Sequence, residues 1–201
     1  MIYLIILIVL VVVVGGGIMF YNRLITLRTR MRESWSDIDV QLKRRYDLIP
    51  NLINTVSGYM QHEKQLLENI TKARAEAIGA HGAMEQSEKE QALTGILHQI
   101  IAVAENYPQL KANQNFLALQ RELADTENKI QAARRFYNTN VRDLNVARET
   151  FPSSLVAALF DFHPGEFFQL AEGEAEAVQK PVAVNFEQQP PAPPEQAEKV
   201  E

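Results

Sequence analysis

The strongest apolar run opens the chain. Ile2 to Val14 is unbroken by polar residues other than the ring hydroxyl of Tyr3, and no charged side chain occurs before Arg23. Continued through Gly15–Phe20, the run is about 20 residues, roughly 30 Å of helix and enough to cross a bilayer core. Tyr3 and Tyr21 stand near its two ends, where amphipathic rings favour the interface. The pattern predicts a transmembrane anchor over residues 1–22. A cleaved leader, with Gly15 and Gly17 as the small residues before the cut, is the competing reading, but leaders carry Lys or Arg ahead of the apolar run and none is present. Arg23, Arg28, Arg30 and Arg32 follow, opposed only by Glu33. Basic residues are retained on the cytoplasmic side, so the N-terminus is expected outside and the C-terminal body in the cytoplasm. Anionic headgroups would attract the same arginines.

Beyond the anchor the period changes to that of packed helices. From Phe116 every seventh residue is Phe116, Leu123, Ile130, Tyr137, Leu144 and Phe151; the companion row is Leu119, Thr126, Ala133, Asn140 and Ala147. One row is bulky and the other mostly small, which lets a partner helix interdigitate as in a coiled coil. A second seam combines Trp35, Leu42, Ile49 and Val56 with Met31, Ile38, Arg45, Leu52, Tyr59 and Leu66; a third runs over Leu93, Ile96, Leu97, Ile100, Val103, Ala104 and Tyr107. Gly79–Gly82 breaks the second segment, Ser87 with Glu90 matches a capping box opening the third, Pro108 closes it, Asn113 can cap the fourth, and Phe151-Pro152 ends that one. Pro50 lies on an unbroken apolar register, yet an interior proline costs about 3 kcal/mol. A turn near Arg45–Asp47, with Asp47 as cap and Pro50 in the next first turn, makes four helices alternate in direction. The expected fold is all-α: one transmembrane helix, then an antiparallel up-and-down four-helix bundle of long helices over 23–150. A Phe-rich short helix and turn follow over 151–170, then an acidic, Pro-rich disordered tail over 171–201.

The net charge of −5 is uneven. Residues 166–201 hold eight acids and two lysines, leaving the rest at +1, which argues against nucleic-acid binding. The absence of Cys excludes disulfides, thiolate metal sites and thiol nucleophiles. None of His62, His81, His98 and His163 has an acid three residues before it, and the position that would complete a zinc-protease motif after His62-Glu63 is Leu66. No phosphate loop, dinucleotide fingerprint or nucleophile elbow is present. No cofactor, metal, catalytic residue or small-molecule substrate is therefore expected, and the chain is read as a non-enzyme.

Two polar clusters remain as candidate interaction sites. One comprises Trp35, Asp37, Asp39, Arg44, Arg45 and Asp47, the other Arg134, Arg135 and Arg142. Arginines beside carboxylates on adjacent helices suit bidentate pairing. Arg45, on an apolar seam, needs an acid or a helix-end carbonyl there. Structural ion pairs are the expected role, with a phosphate or anionic-lipid site as the alternative. A third group, Phe151, Leu155, Leu159, Phe160, Phe162, Phe167 and Phe168, sits in a segment with only two charges. It is expected to dip into the headgroup layer, contact another subunit, or cover the open end of the bundle.

The runs WSDIDVQLKRRYDLIPNLINTVSGYMQHEKQLLENITKARA, AENYPQLKANQNFLALQRELADTENKIQAARRFYNTNVRDLN and FPSSLVAALF closely resemble the LemA family, over about Tyr21 to Phe168. The resemblance implies a bacterial inner-membrane protein with one N-terminal span, a short external N-terminus and a cytoplasmic helical bundle. One branch of the family takes part in building magnetosome membranes, which implies membrane organisation. The expected function is thus a membrane-anchored scaffold whose partners are the lipid bilayer and either its own copies or another membrane protein. The alternatives are an accessory subunit of a membrane protease or transporter, and an enzyme of lipid headgroups using Asp37, Asp39 and Arg135.

Overall fold

The computed structural model describes residues 1–168, of which 84% are helical and none is in a strand. Six helices follow in order: α1 (Ile2–Ser57), α2 (Lys64–Ile78), α3 (Gly82–Ala104), α4 (Pro108–Lys111), α5 (Gln114–Glu149) and α6 (Ser153–Leu159). The tail expected over 171–201, and the last two residues of the 151–170 segment, lie outside the described residues.

The anchor segment and the first seam are one helix. α1 runs for 56 residues without interruption, so no linker separates the apolar segment from the body. Its N-terminal portion is long and apolar enough to cross a membrane, and none of the most apolar 18-residue window is buried against protein. Burial begins at Leu24 and continues along one stripe through Ile38, Leu42, Arg45, Ile49, Leu52 and Val56.

The turn expected at Arg45–Asp47 does not exist. α1 passes through Pro50, and the chain reverses at residues 58–63 instead. Proline 50 cannot donate to the Tyr46 carbonyl, which would normally leave that acceptor orphaned inside the helix. Arg74 of α2 fills the vacancy: its Nε–H donates to Tyr46 O at 2.8 Å. The defect becomes an attachment point for the next helix, and Asp47 is an exposed mid-helix residue rather than a cap.

Direction still alternates, because the reversal has only moved. α5 lies antiparallel to α1. Leu24 packs with Leu144 and Ala147; Ile38 and Leu42 with Ile130, Tyr137 and Val141; and Leu48 to Val56 share a cluster with Phe116 and Leu123. α2 and α3 form a hairpin that adds Ile70, Ala73, Ala77, Leu93, Leu97 and Ile100 to the distal cluster, and Ala83 to the middle one. The predicted heptad row Phe116, Leu123, Ile130, Tyr137, Leu144 is buried throughout, and fails only at Phe151, which follows the end of α5 and is exposed.

Two helix starts differ from expectation. α3 begins at Gly82, where φ is +79°, a conformation open to glycine, and the Glu85 carboxylate accepts from His81 N–H at 2.9 Å. Ser87 and Glu90 are buried inside this helix and form no capping box. Pro108 opens α4 rather than ending α3, which stops at Ala104. Asn113 caps α5 as expected, its Oδ1 accepting from Asn115 N–H at 2.9 Å and Phe116 N–H at 3.3 Å.

After α6 the chain doubles back. Asp161 takes a left-handed φ of 53°, and Phe162 N–H donates to Ala157 O at 2.9 Å, the backbone pattern of a Schellman stop. Phe162 and Ala157 share an apolar cluster with Leu24, Leu144 and Ala147, which completes the motif.

Candidate functional site

The buried polar centre forms around Arg45, which the α1 stripe carries inward to 2% exposure. Its guanidinium ion-pairs with Glu90 of α3 and with Glu127 of α5, and donates to Thr94 Oγ1 at 3.0 Å. Tyr46 OH donates to Glu90, and Gln86 Nε2 donates to Glu90 at 3.0 Å and to Ala77 O at 3.1 Å. Burial pulls Arg45 below its ordinary value, while the charge of Glu127 opposes the shift. Burial likewise pushes the Tyr46 hydroxyl upward, against the nearby charge of Arg45. An uncompensated ion here would cost several kcal/mol, so the network holds three helices at one mutual position. Beside it, between α3 and α5, lies a cavity of about 530 Å³ whose walls include Leu97, Ile101, Leu123 and Glu127.

The expected clusters therefore part company. Arg44 lies 3.9 Å from Asp125, with both side chains about half exposed, a pair of little energetic weight. Asp37 and Asp47 are exposed. Asp39 accepts from Trp35, but burial dominates and raises its carboxyl. Arg135 is exposed, and Arg142 lies 3.9 Å from its neighbour Asp143. Trp35 and Arg134 do come together, through Phe168. Trp35 packs on Tyr137 at 5.2 Å and on Phe168 at 6.0 Å, and the Arg134 guanidinium lies over the Phe168 ring at 4.8 Å. Glu127, Thr94, Gln86 and Arg74 were not singled out from sequence, and Glu90 was read only as part of a capping box. Glu90 carried a signal all the same: it lies on the Leu93–Leu97–Ile100 stripe, a charged residue on an apolar face like Arg45.

Residues 162–168 form an extended strap clasped by α5. Gly165 N–H donates to Asn145 Oδ1 at 2.8 Å, and Asn145 Nδ2 donates back to Gly165 O at 3.0 Å. Asn138 repeats this with Phe168, both bonds at 2.9 Å. Seven helical residues rise about 10 Å, and three extended residues span about the same, so the two asparagines match the strap's repeat. Between them Tyr137 OH donates to Glu166 O at 2.8 Å. Burial, with the charge of Glu166 adding, pushes Tyr137 up to about 12. A Cβ on Gly165 would lie 2.6 Å from Met31 Sδ and 3.3 Å from Val141 Cγ1, so a larger residue would have to displace the Met31 side chain for the strap to sit this close.

The strap divides the Phe-rich group. Phe162 and Phe168 are buried in the body. Phe151, Leu155, Leu159, Phe160 and Phe167 stay exposed. Positions 151, 155 and 159 recur at helical spacing, opposite the buried Ser153 and Ala157. Phe160 lies 4.7 Å from Tyr21, which puts this end of the body level with the end of the apolar segment. No group of three or more His, Cys, Asp or Glu able to hold a metal occurs among the described residues.

The chain is similar to several known proteins. "Magnetosome protein MamQ 2" of Paramagnetospirillum magneticum is 24% identical over 76% of this chain and 65% of its own length. "Magnetosome protein MamQ" of Magnetospirillum gryphiswaldense is 23% identical over 75% and 65%. "Protein LemA" of Metamycoplasma hominis is 26% identical over 76% and 70%. The chain thus spans about 65% of the length of the magnetosome proteins it matches. The LemA family profile matches residues 34–186, which extends the resemblance past Phe168, its expected end. With most of its length matched by that profile, the chain belongs to the LemA family.

Proposed function

We propose that this chain is a membrane-anchored, non-enzymatic helical scaffold. Its body is a four-helix bundle of the α1 extension, α2, α3 and α5, held on the cytoplasmic face of a bacterial inner membrane. The observation that carries the reading is the continuity of α1: one helix serves as both the apolar segment and the seam of the body. A helix with no hinge after residue 22 holds the body in a fixed attitude, its far end about 50 Å from the bilayer. Fixed stand-off is useful for organising membrane components and of no evident use to a diffusing catalyst. The magnetosome designation of its relatives supports a role in membrane organisation.

The accessory-subunit reading has one observation in its favour. The cavity between α3 and α5 has an apolar wall of Leu97, Ile101 and Leu123 that a partner's side chains could enter. Photocrosslinkers placed along α3 and α5 in the full-length protein in cells separate the two. Crosslinks chiefly to further copies, in assemblies of varied size, support the scaffold. A single foreign chain at fixed stoichiometry would replace it with the accessory role.

A further inference from the structure

At the bilayer end of the body, α1 and α5 leave a cavity of about 890 Å³ on the side away from the strap's contacts. Phe20, Leu27, Val146 and Phe151 supply its apolar lining, and Arg23, Arg30 and Arg142 its charge, with Asp143 as the one acid. The other juxtamembrane arginines are used or placed elsewhere. Arg28 covers the Phe162 ring at 5.0 Å, and Arg32 lies outside the cavity. Arg23 and Arg30 have no ionic partner among the described residues.

We propose that this cavity is a binding site for an anionic phospholipid of the leaflet facing the body. The order of its lining along α1 matches the order of groups in such a lipid. Phe20, still within the uncharged segment, and the exposed Phe151 stand where acyl chains begin. Arg23 is the first charge after that segment, at the depth of the lipid phosphate. Arg30, about 10 Å further along the axis, and Arg142 from α5 close the polar end. Guanidinium forks suit phosphate oxygens, and three cations against one carboxylate leave the site positive. A general basic belt around the helix would attract anionic lipids without a cavity. This site differs in needing Arg142, a residue some 120 positions from the anchor in sequence, brought alongside by the α1–α5 pairing. It rests on the membrane-anchor reading and refines it.

The test uses full-length protein in nanodiscs of phosphatidylcholine with about 20 mole per cent phosphatidylglycerol, enough to give the surface a negative potential. Lipids retained after gentle release are counted by native mass spectrometry. The double variant R23Q/R142Q should lose the preference for retained phosphatidylglycerol about tenfold, while R32Q/R135Q, with the same loss of charge outside the cavity, should change it little. Equal losses in both variants would overturn the site in favour of general attraction. Displacement of the lipid by millimolar inorganic phosphate would overturn it in favour of a free anion. Insertion is read separately, by flotation with pure phosphatidylcholine vesicles: failure to float overturns the anchor itself, whereas flotation with no phosphatidylglycerol preference overturns only the site.

Discussion

Arg45 is the side chain on which the interior depends most. It is 2% exposed and paired with acids from two other helices, so removing it leaves Glu90 buried without a cation. Arg45→Met should cost about 3–5 kcal/mol in urea unfolding of the detergent-solubilised protein. The triple change Arg45→Met, Glu90→Leu, Glu127→Leu should cost much less, because no uncompensated ion remains; a triple variant weaker than the single one would refute this balance. Tyr137 makes the fold sensitive to alkali. Its folded value of about 12 exceeds the unfolded value near 10, so the unfolded chain gives up the proton first as pH rises. The stability held by the protonated hydroxyl is complete below pH 10 and drains away between 10 and 12, by roughly 1–2 kcal/mol once solvent screening is allowed for. Tyr137→Phe should remove that share of the pH dependence and lower stability at neutral pH by about 1 kcal/mol through the lost bond to Glu166 O. Parallel unfolding curves of the two proteins from pH 9 to 12, with tyrosinate absorbance, check both effects.

Helix α1 survives Pro50 because α2 supplies the missing donor. Arg74→Ala should therefore cost about 1.5–3 kcal/mol in the native background. In Pro50→Ala, where a restored N–H competes for the same carbonyl, it should cost well under 1 kcal/mol. Additive effects in this double-mutant cycle would show that the two residues are uncoupled. The strap behaves as a separable element. Asn138→Ala with Asn145→Ala removes four hydrogen bonds to its backbone, and should open residues 160–168 to proteolysis while the helical circular dichroism stays near native. Resistance equal to that of the native protein would mean that apolar packing of Phe162 and Phe168 suffices. These two elements also mark where sequence reading stops. The seams were legible because burial on helices repeats with a period that needs no partner to be named, and Asn113 because capping is local. That Arg45 needed an acid was legible, but not which acid, since Glu90 also fitted a cap. Pro50 was misread because its compensating donor lies 28 residues beyond Tyr46, and no local rule looks that far. The strap left no periodic trace, because its backbone is recognised by side-chain amides rather than by a stripe.

Taken together, one uninterrupted helix joins the apolar segment to a body whose stripes are consumed in packing against each other, with Val146, Phe151, Leu155, Leu159 and Phe160 left exposed at the end nearest that segment. The continuity of α1 makes orientation the claim on which the rest turns. The chain contains no Cys, so single cysteines report position without background. Gln91→Cys, exposed on α3, should resist a membrane-impermeant maleimide in sealed spheroplasts and react promptly once they are lysed. Prompt labelling in the sealed spheroplasts would put the body on the outer face and contradict the account.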